Sequence, residues 1–263
     1  MTIAGSDSGG GAGLQADLKT FAALGVFGTS VVTAVTAQNT YEVRGVVCLD
    51  PEFVDLQIST VLGDLPVAAV KTGMLASAAN VSAVAARAAD GELPHLVVDP
   101  VLVTSTGHSL LDADGVKAYL DLLVPLAEVL TPNVHEAAML TGSEVRDLED
   151  MVSAGHALRD SGARTVLVKG GHLEGAHAPD VLVWADGTTV LEAERVPSPN
   201  DHGTGCTLSA AIAALLARGT PLLEAVSSAK SFVNSAIRGG SRWQLGAGHG
   251  PLDHFGWEAA PGP

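Results

Sequence analysis

A glycine-rich turn followed by a thiol carries the clearest chemistry in this sequence. Residues 202–207 read His-Gly-Thr-Gly-Cys-Thr, and an apolar stretch with helical spacing follows them. Glycines let backbone N–H groups converge on an anion, and the positive end of a helix dipole adds to that attraction, so we expect Gly203, Thr204 and Gly205 to bind an anion. We expect Cys206 to ionise more readily than a free cysteine, because a thiol in a first helical turn has a lowered pKa. The plainer interpretation is a helix start with an incidental buried cysteine.

Polar and charged side chains also follow the ends of several predicted strands. Asp99 could order Mg²⁺-bound water, or it could cap a turn. Lys169 could contact phosphate, or it could simply be exposed to solvent. Asn133 and Glu136 lie three residues apart at a helix start. That spacing fits a hydrated Mg²⁺ and equally fits a capping box. The amide of Gln38 favours hydrogen bonds to a neutral heterocycle.

Two common nucleotide-binding signatures are excluded or weak. The sequence contains no G-x-x-x-x-G-K-[ST], so a nucleotide site here is not a P-loop. Residues 11–16 fit the dinucleotide pattern G-x-G-x-x-A, but that site also needs an acid at the end of the second strand. The corresponding strand ends in Thr36-Ala37-Gln38-Asn39. A nicotinamide oxidoreductase is therefore disfavoured.

Composition narrows the range of partners. The net charge is −15, from 14 Lys+Arg against 29 Asp+Glu, with no basic cluster, so neither nucleic acid nor an anionic membrane is an expected partner. Cys48 and Cys206 are the only cysteines, and they lack the spacing of a disulfide framework or a structural zinc site. The sequence has no signal-peptide pattern and no apolar run of the ~18 residues that span a bilayer. We expect a cytoplasmic protein.

Strand-like and helix-like stretches alternate along the chain, which predicts an α/β fold with a mainly parallel central sheet and helices on both faces. Two β-rich runs around Asp186-Gly187 predict a hairpin and an antiparallel edge. We expect one domain over residues 1–263. Strands are predicted at about 30–35, 68–72, 96–101, 128–133 and 165–170, and helices at about 13–24, 51–63, 77–90, 113–123, 148–161, 205–218 and 221–238.

Seven motifs in order along the chain resemble the ribokinase-like family, and within it the hydroxymethylpyrimidine/phosphomethylpyrimidine kinases. The resemblance spans nearly the whole chain and implies a ribokinase-like three-layer fold. The motifs are Ala4-Gly5-Ser6-Asp7 with GGGAGLQADLK at 9–19, AQNT at 37–40, KTGML at 71–75, DPV at 99–101, TPN with Glu136-Ala137 at 131–137, KGGH at 169–172 and HGTGCTLS at 202–209.

The resemblance also implies roles for individual residues. Cys206 stands at the position of the catalytic base, where many ribokinase relatives carry Asp, and the glycine turn before it forms the anion hole. Lys230 is expected to approach the nucleotide. Asn133, Glu136 and Lys169 are expected to handle Mg²⁺ and the ATP phosphates. The pocket for the pyrimidine is expected to be lined by Gly5, Asp17, Gln38, Met74 and Val101.

The implied activity is phosphorylation of 4-amino-5-hydroxymethyl-2-methylpyrimidine by Mg·ATP, first to the monophosphate and then to the diphosphate. A homodimer is implied, and a need for a monovalent cation is left open. Pyridoxal kinase activity and a non-catalytic pyrimidine sensor are the alternatives. The sequence departs from the family at 104–108, where a Lys-Ser-Gly-Asp-like lid segment is usual, and at Asp201, where Thr is usual.

Overall fold

The computed structural model of the protein describes residues 1–102 and 113–257. Within those residues, one sheet contains the strands β1 (Thr2–Ser6), β2 (Ser30–Gln38), β3 (Val43–Cys48), β4 (Lys71–Thr72), β5 (Val97–Val98), β6 (Val129–Leu130), β7 (Val166–Lys169), β8 (Asp180–Trp184) and β9 (Gly187–Leu191). Their order across the sheet is β3-β2-β1-β4-β5-β6-β7-β8-β9. All neighbours from β2 to β7 are parallel, whereas β3, β8 and β9 pair antiparallel with their neighbours.

Helices cover both faces of this sheet. They are α1 (Gly13–Ala23), α2 (Pro51–Leu62), α3 (Ala78–Ala89), α4 (Ala113–Ala118), α5 (Val134–Thr141), α6 (Leu148–Asp160), α7 (Thr204–Ala217) and α8 (Leu222–Gly240). After α4 the chain passes through a π-helical turn, Tyr119–Leu123, and a short 3₁₀ turn, Val124–Leu126.

Two hydrophobic cores lie on opposite faces of the sheet because side chains alternate along each strand. Val97 and Leu167 pack with α1, α7 and α8. Their neighbours Val98, Val166 and Val168 pack with α2, α3, α5 and α6. The strands bury both faces, which explains why they read as continuous aliphatic runs in the sequence.

The expected α/β fold is confirmed, including the hairpin, where Trp184 pairs with Gly187 across the turn. The central strands β4, β5 and β6 have two residues each, fewer than the aliphatic runs suggested. The antiparallel edge strand β3 was not predicted. Its six residues include a glycine and an arginine and are largely exposed, so no alternation of buried and exposed positions marks it.

An ion pair between Lys71 and Asp17 lies inside the fold, between β4 and α1. Lys71 Nζ lies 2.8 Å from both carboxylate oxygens, and both side chains have zero exposure. The Thr2 hydroxyl donates to the same carboxylate at 2.6 Å. Burial disfavours the charged ammonium, yet attraction from the Asp17 and Asp99 carboxylates outweighs it and holds the pKa of Lys71 above its usual value.

Removing one partner of this pair should destabilise the fold, because the other charge is then left buried and uncompensated. We expect Lys71→Met to lower the free energy of unfolding by about 3–5 kcal/mol. The double variant Lys71→Met/Asp17→Leu should recover much of that loss, since neither charge remains. Urea unfolding of the wild type and the variants measures both effects.

The matched control is Lys117→Met, which removes a lysine from an exposed ion pair with Asp121. Exposed pairs contribute little to stability, so this variant should unfold near the wild-type midpoint. A Lys71→Met protein as stable as Lys117→Met would show that the buried pair does not support the fold.

Candidate active site

The glycine turn forms the start of α7, as the sequence predicted. Gly203 precedes the helix in the left-handed region, at φ 86° and ψ 7°. A Cβ on Gly203 would collide with the carbonyl oxygen of Gly11 and would lie 3.2 Å from Ala12 Cα, so this approach of two backbones requires glycine. Within the described part of the chain, the backbone N–H groups of Gly205 and Cys206 have no hydrogen-bond partner. They are available to an anion.

Lys169, at the end of β7, lies beside this turn. A Cβ on Gly205 would be 3.1 Å from Lys169 Nζ and 3.8 Å from Asp99 Oδ2. Lys169 Nζ donates to Asp99 Oδ1 at 2.8 Å, and the Ser209 hydroxyl of α7 donates to Asp99 Oδ2 at 3.1 Å. The lysine side chain is only 12% exposed, so the alternative of a freely solvated ammonium is wrong.

The carboxyl group of Asp99 is held ionised by its neighbours. Burial opposes ionisation, but Lys169, Lys71 and the Ser209 hydroxyl outweigh it and lower the pKa of Asp99. The pKa of Lys169 is raised in turn by Asp99 and Glu136, against the effect of burial. An ion pair of this kind places a positive charge next to the free N–H groups of α7.

Asn133 and Glu136 form a capping box at the start of α5. Asn133 Oδ1 accepts hydrogen bonds from the backbone N–H groups of His135 and Glu136, both at 2.9 Å, and Glu136 Oε2 accepts one from Asn133 N at 2.7 Å. Glu136 is 3% exposed and its Oε2 lies 3.9 Å from Lys169 Nζ. Burial and nearby Asp99 raise the pKa of Glu136 to about 7, although Lys169 opposes this.

The carboxylates of Asp99 and Glu136 fit a metal ion that takes few protein ligands. Residues 1–102 and 113–257 contain no group of three or more His, Cys, Asp or Glu side chains suited to a metal ion. Mg²⁺ typically keeps several waters and binds through one or two carboxylates together with substrate phosphates. The two acids beside Lys169 are consistent with that mode and with no denser metal site.

Cys206 lies in the first turn of α7, half-buried against the start of α1. Burial raises its pKa to about 11, and Asp17 and Asp99 add to the shift, whereas Lys71 and a hydrogen bond from Gly13 N–H oppose it. The expectation of a readily ionised thiol is therefore wrong. Desolvation and two nearby carboxylates outweigh the favourable helix start.

The ammonium of Lys230 is already engaged by protein groups. Lys230 Nζ donates to Asp180 Oδ2 at 2.6 Å and to the Ala178 carbonyl at 2.9 Å. The other oxygen of Asp180 accepts the backbone N–H of Gly170 at 3.0 Å. Lys230 thus links α8 to the loop that follows Lys169. Its ammonium lies in these contacts beside the site and is not a free group inside it.

Four of the five residues expected in the pyrimidine pocket lie near the carboxyl ends of β1, β2, β4 and β5. Gly5 N donates to the Met74 carbonyl at 3.0 Å, and a Cβ on Gly5 would collide with the Met74 side chain. Gln38 contacts His202, and Val101 follows Asp99. Asp17 is different, because it has zero exposure and its carboxylate is paired with Lys71.

Sequence reasoning missed Asp7 and His202, which join the N-terminal loop to the start of α7. His202 Nε2 lies 3.1 Å from Asp7 Oδ2 and 3.2 Å from Gln38 Nε2. An acid inside a glycine-rich loop and a histidine just before a glycine turn were the available signals. The unusual segment at 104–108 lies outside the described residues.

The sheet and site together fit the class of small-molecule phosphotransferases. A helix start with free N–H groups, a lysine and a buried acid meet at the carboxyl edge of a doubly covered parallel sheet, where α/β proteins bind ligands. The phosphomethylpyrimidine kinase family model matches residues 7–253. The chain therefore belongs to the phosphomethylpyrimidine kinase family.

Individual relatives agree with this assignment. The chain is 50% identical over 259 residues to a hydroxymethylpyrimidine/phosphomethylpyrimidine kinase of Rhizobium meliloti, covering 97% of this chain and 96% of that protein. A solved phosphomethylpyrimidine kinase from Clostridium difficile has a TM-score of 0.80 at 41% identity, covering 90% of this chain and 97% of the other. An ADP complex of Bacillus subtilis pyridoxal kinase has a TM-score of 0.88 at 36% identity. The match covers 96% of this chain and 95% of the other.

None of the helices in the described ranges is long and apolar enough to cross a membrane.

The raised pKa of Cys206 predicts slow alkylation at neutral pH, because the thiolate is the nucleophile. In a Cys48→Ser background, which leaves one cysteine, the rate of reaction with iodoacetamide should increase about tenfold per pH unit without levelling off below about pH 10. Quenched-flow samples analysed by mass spectrometry would measure it.

The reference for this experiment is the same protein unfolded in urea, whose thiol should reach a plateau near the ordinary cysteine pKa of about 8.5. A plateau below about pH 9 in the folded protein would contradict the raised pKa.

Proposed function

We propose that the protein transfers the γ-phosphoryl group of Mg·ATP to the hydroxymethyl group of 4-amino-5-hydroxymethyl-2-methylpyrimidine, and then to the resulting monophosphate to give the diphosphate. This is the pyrimidine branch of thiamine biosynthesis. The observation that carries the proposal is the position of the Lys169–Asp99 pair beside Gly205, at a helix start with free N–H groups. Membership of the family and the names of its relatives supply the substrate.

The chain's own groups suit the stabilisation of a transferring phosphoryl group. Phosphoryl transfer asks a protein mainly for alignment and for neutralisation of charge on the equatorial oxygens. The N–H groups of Gly205 and Cys206 and the ammonium of Lys169 would hold those oxygens. Asp99 and Glu136 would hold Mg²⁺ directly or through its waters, and the metal would supply neutralisation of the phosphate charge when bound.

Cys206 is proposed as the acceptor of the hydroxymethyl proton. Its thiol is protonated at neutral pH because its pKa is about 11, so it acts as a base only in the small ionised fraction. Lys71 is the main group that favours the thiolate, together with the N–H of Gly13. The rate of a step that uses this base should therefore rise with pH.

The proposed pyrimidine pocket combines apolar groups with an amide. The Met74 side chain packs directly against Gly5, where any larger residue would displace it, and Val101 follows Asp99 on the same edge of the sheet. Gln38 would supply hydrogen bonds to the ring. Asp17 would act from behind the pocket, by holding Lys71 near Cys206, rather than by touching the ring.

Pyridoxal kinase activity is the second candidate, because solved pyridoxal kinases resemble this fold closely. The Staphylococcus aureus enzyme in complex with ADP has a TM-score of 0.90 at 36% identity. The higher identity to pyrimidine kinases favours the pyrimidine, so kcat/KM should be larger for it than for pyridoxal. A non-catalytic sensor is disfavoured by the presence of Lys169, Glu136 and Cys206 at one site.

The proposal also includes a homodimer, a single domain over residues 1–263 and a cytoplasmic location. The dimer has some support in β3, an edge strand whose Val46 and Val47 are 45% and 66% exposed. Exposed apolar edge strands are usually covered by another chain or element.

Phosphorus NMR tests the proposed activity directly. With the protein, Mg·ATP and the hydroxymethylpyrimidine, the ³¹P spectrum should show ADP and the monophosphate first and the diphosphate later. Lys169→Met should abolish both products, because the positive charge at the phosphate site is lost. Monophosphate alone would confine the enzyme to the first step, and absence of transfer to the pyrimidine would refute the proposal.

Cys206→Ala should slow the first phosphorylation more than the second. The hydroxymethyl group must lose a proton, whereas the acceptor oxygen of the monophosphate is already ionised at neutral pH. We expect a loss in kcat of about 10²–10³-fold for the alcohol and less than about tenfold for the monophosphate. In the wild type, kcat of the first step should also rise from about pH 7 to 9. The pKa of Cys206 is about 11, so the thiolate fraction grows with pH throughout this range.

Each step is assayed separately with its own substrate. The matched control is Cys48→Ala, which removes the exposed cysteine at the end of edge strand β3 and should leave both rates unchanged. Equal losses in the two steps of Cys206→Ala would show that Cys206 has no role as a base.

A further inference from the structure

One nitrogen of His202 faces two groups with different hydrogen-bonding needs. His202 Nε2 lies 3.1 Å from Asp7 Oδ2 and 3.2 Å from the amide nitrogen of Gln38. Asp7 and His202 side chains are 4% and 12% exposed, so water does not readily replace either partner. A ring nitrogen either donates or accepts, and it cannot do both at once.

The Asp7 carboxylate determines whether His202 Nε2 carries a proton. Asp7 accepts backbone N–H groups from Gly9 at 2.8 Å, from Gly11 at 3.0 Å and from Ala12 at 2.8 Å. Burial opposes its ionisation, but hydrogen bonds from His202 and the backbone hold the pKa of Asp7 below its usual value. An ionised carboxylate only accepts hydrogen bonds, so His202 Nε2 must carry a proton. The Gln38 amide nitrogen, also a donor, then has no acceptor there.

A second contact of Gln38 shows the same mismatch from the other end of the amide. The Thr36 hydroxyl donates its single proton to the Ser6 carbonyl at 2.9 Å. The same hydroxyl lies 3.3 Å from Gln38 Oε1, but the shorter contact to Ser6 takes the proton, which leaves two acceptors facing each other. Turning the amide by half a rotation about its last bond removes both conflicts: the oxygen then shares the Nε2 proton of His202 with Asp7 in a three-centre hydrogen bond, because the two contacts are of nearly equal length, and the nitrogen donates to Thr36.

We propose that His202, held by Asp7, is a positioning residue that keeps the Gln38 amide oxygen turned toward His202 and its nitrogen toward Thr36. This arrangement leaves Gln38 one N–H and one oxygen lone pair for a ligand. His202 thereby sets the hydrogen-bond pattern that the pocket offers to a ring. The pattern offered to a ring rests on the proposed function, whereas the orientation of Gln38 does not.

The fixed amide favours one ring edge over another. The hydroxymethylpyrimidine carries an amino group beside a ring nitrogen, so a donor stands next to an acceptor and matches the two free groups of Gln38. Pyridoxal carries an aldehyde oxygen and a phenolic hydroxyl at the corresponding positions, and the aldehyde is an acceptor only. His202 should therefore contribute to discrimination between the two substrates.

A ligand-free NMR experiment tests the orientation itself. In ¹⁵N-histidine-labelled protein, with the His202 signals assigned from their loss in His202→Gln, Nε2 should be protonated. The side-chain amide signals of Gln38, assigned with Gln38→Ala, should shift in His202→Met. They should stay in place in His156→Met, which removes an exposed histidine that lies within hydrogen-bond distance of the Thr188 hydroxyl. A bare Nε2 or an unmoved Gln38 amide would overturn the proposal.

A double-mutant cycle tests the consequence for binding. His202→Met should raise KM for the pyrimidine about tenfold, with kcat within about threefold, as expected for the loss of one well-placed hydrogen bond. In a Gln38→Ala background the same substitution should add nothing, because its effect passes through Gln38. His202→Gln keeps a donor near the Nε2 position and should remain within about threefold of the wild type.

The two experiments separate this inference from the proposed function. Additive effects of His202→Met and Gln38→Ala, or equal losses of kcat/KM for the pyrimidine and pyridoxal, would show that His202 only shapes the start of α7 and would overturn the inference. If the wild type phosphorylates no pyrimidine, the proposed function fails, and the ligand-free NMR result still decides the orientation of Gln38.

Discussion

The close approach of two backbones, at Gly203 and Gly11, is the constraint on which the site depends. A side chain at position 203 would occupy the place of the Gly11 carbonyl, and the left-handed conformation there turns the chain into α7. This packing places Cys206 against the start of α1 and brings His202 to Asp7. The turn proposed to bind an anion and the loop beside the proposed ring pocket are therefore parts of one contact.

Three largely buried Asp–Lys pairs link strands to helices or to one another around this contact. Lys71–Asp17 joins β4 to α1, Lys169–Asp99 joins β7 to the end of β5, and Lys230–Asp180 joins α8 to β8. The chain has five lysines, so most of them serve these pairs. Each of these lysines is matched by a carboxylate, so the pairs fix the positions of the ammonium groups without adding net positive charge to a chain of net charge −15.

Local sequence signals predicted most helices and strands and the polar residues at strand ends. They did not predict which charged side chains form ion pairs. The glycine turn, the strand-end Lys169 and the start of α5 follow from spacing and turn chemistry, and the structure places all of them at one edge of the sheet. The pairing of Asp17 with Lys71 depends on the packing of α1 against β4, across 54 positions of sequence. Edge strand β3 was missed because exposed residues with an internal glycine carry no periodic signal. The sequence left the capping box and metal ligation open at Asn133 and Glu136; the structure shows the capping box, and the metal role of Glu136 is proposed in addition to it.

The pKa of Cys206 shows why a motif does not determine the chemistry of its residues. A first-turn position lowers the pKa of an exposed thiol, but here burial and two carboxylates dominate and raise it to about 11. A bound phosphate would add further negative charge, which again favours the protonated thiol. The loose transition state of phosphoryl transfer needs little nucleophile activation, so a weakly populated base is compatible with this reaction as long as the substrate is well aligned. In the described site, hydrogen bonds and ion pairs hold groups in position, which serves alignment of the substrate. No described group keeps the thiol ionised at rest, so activation of the nucleophile is weak.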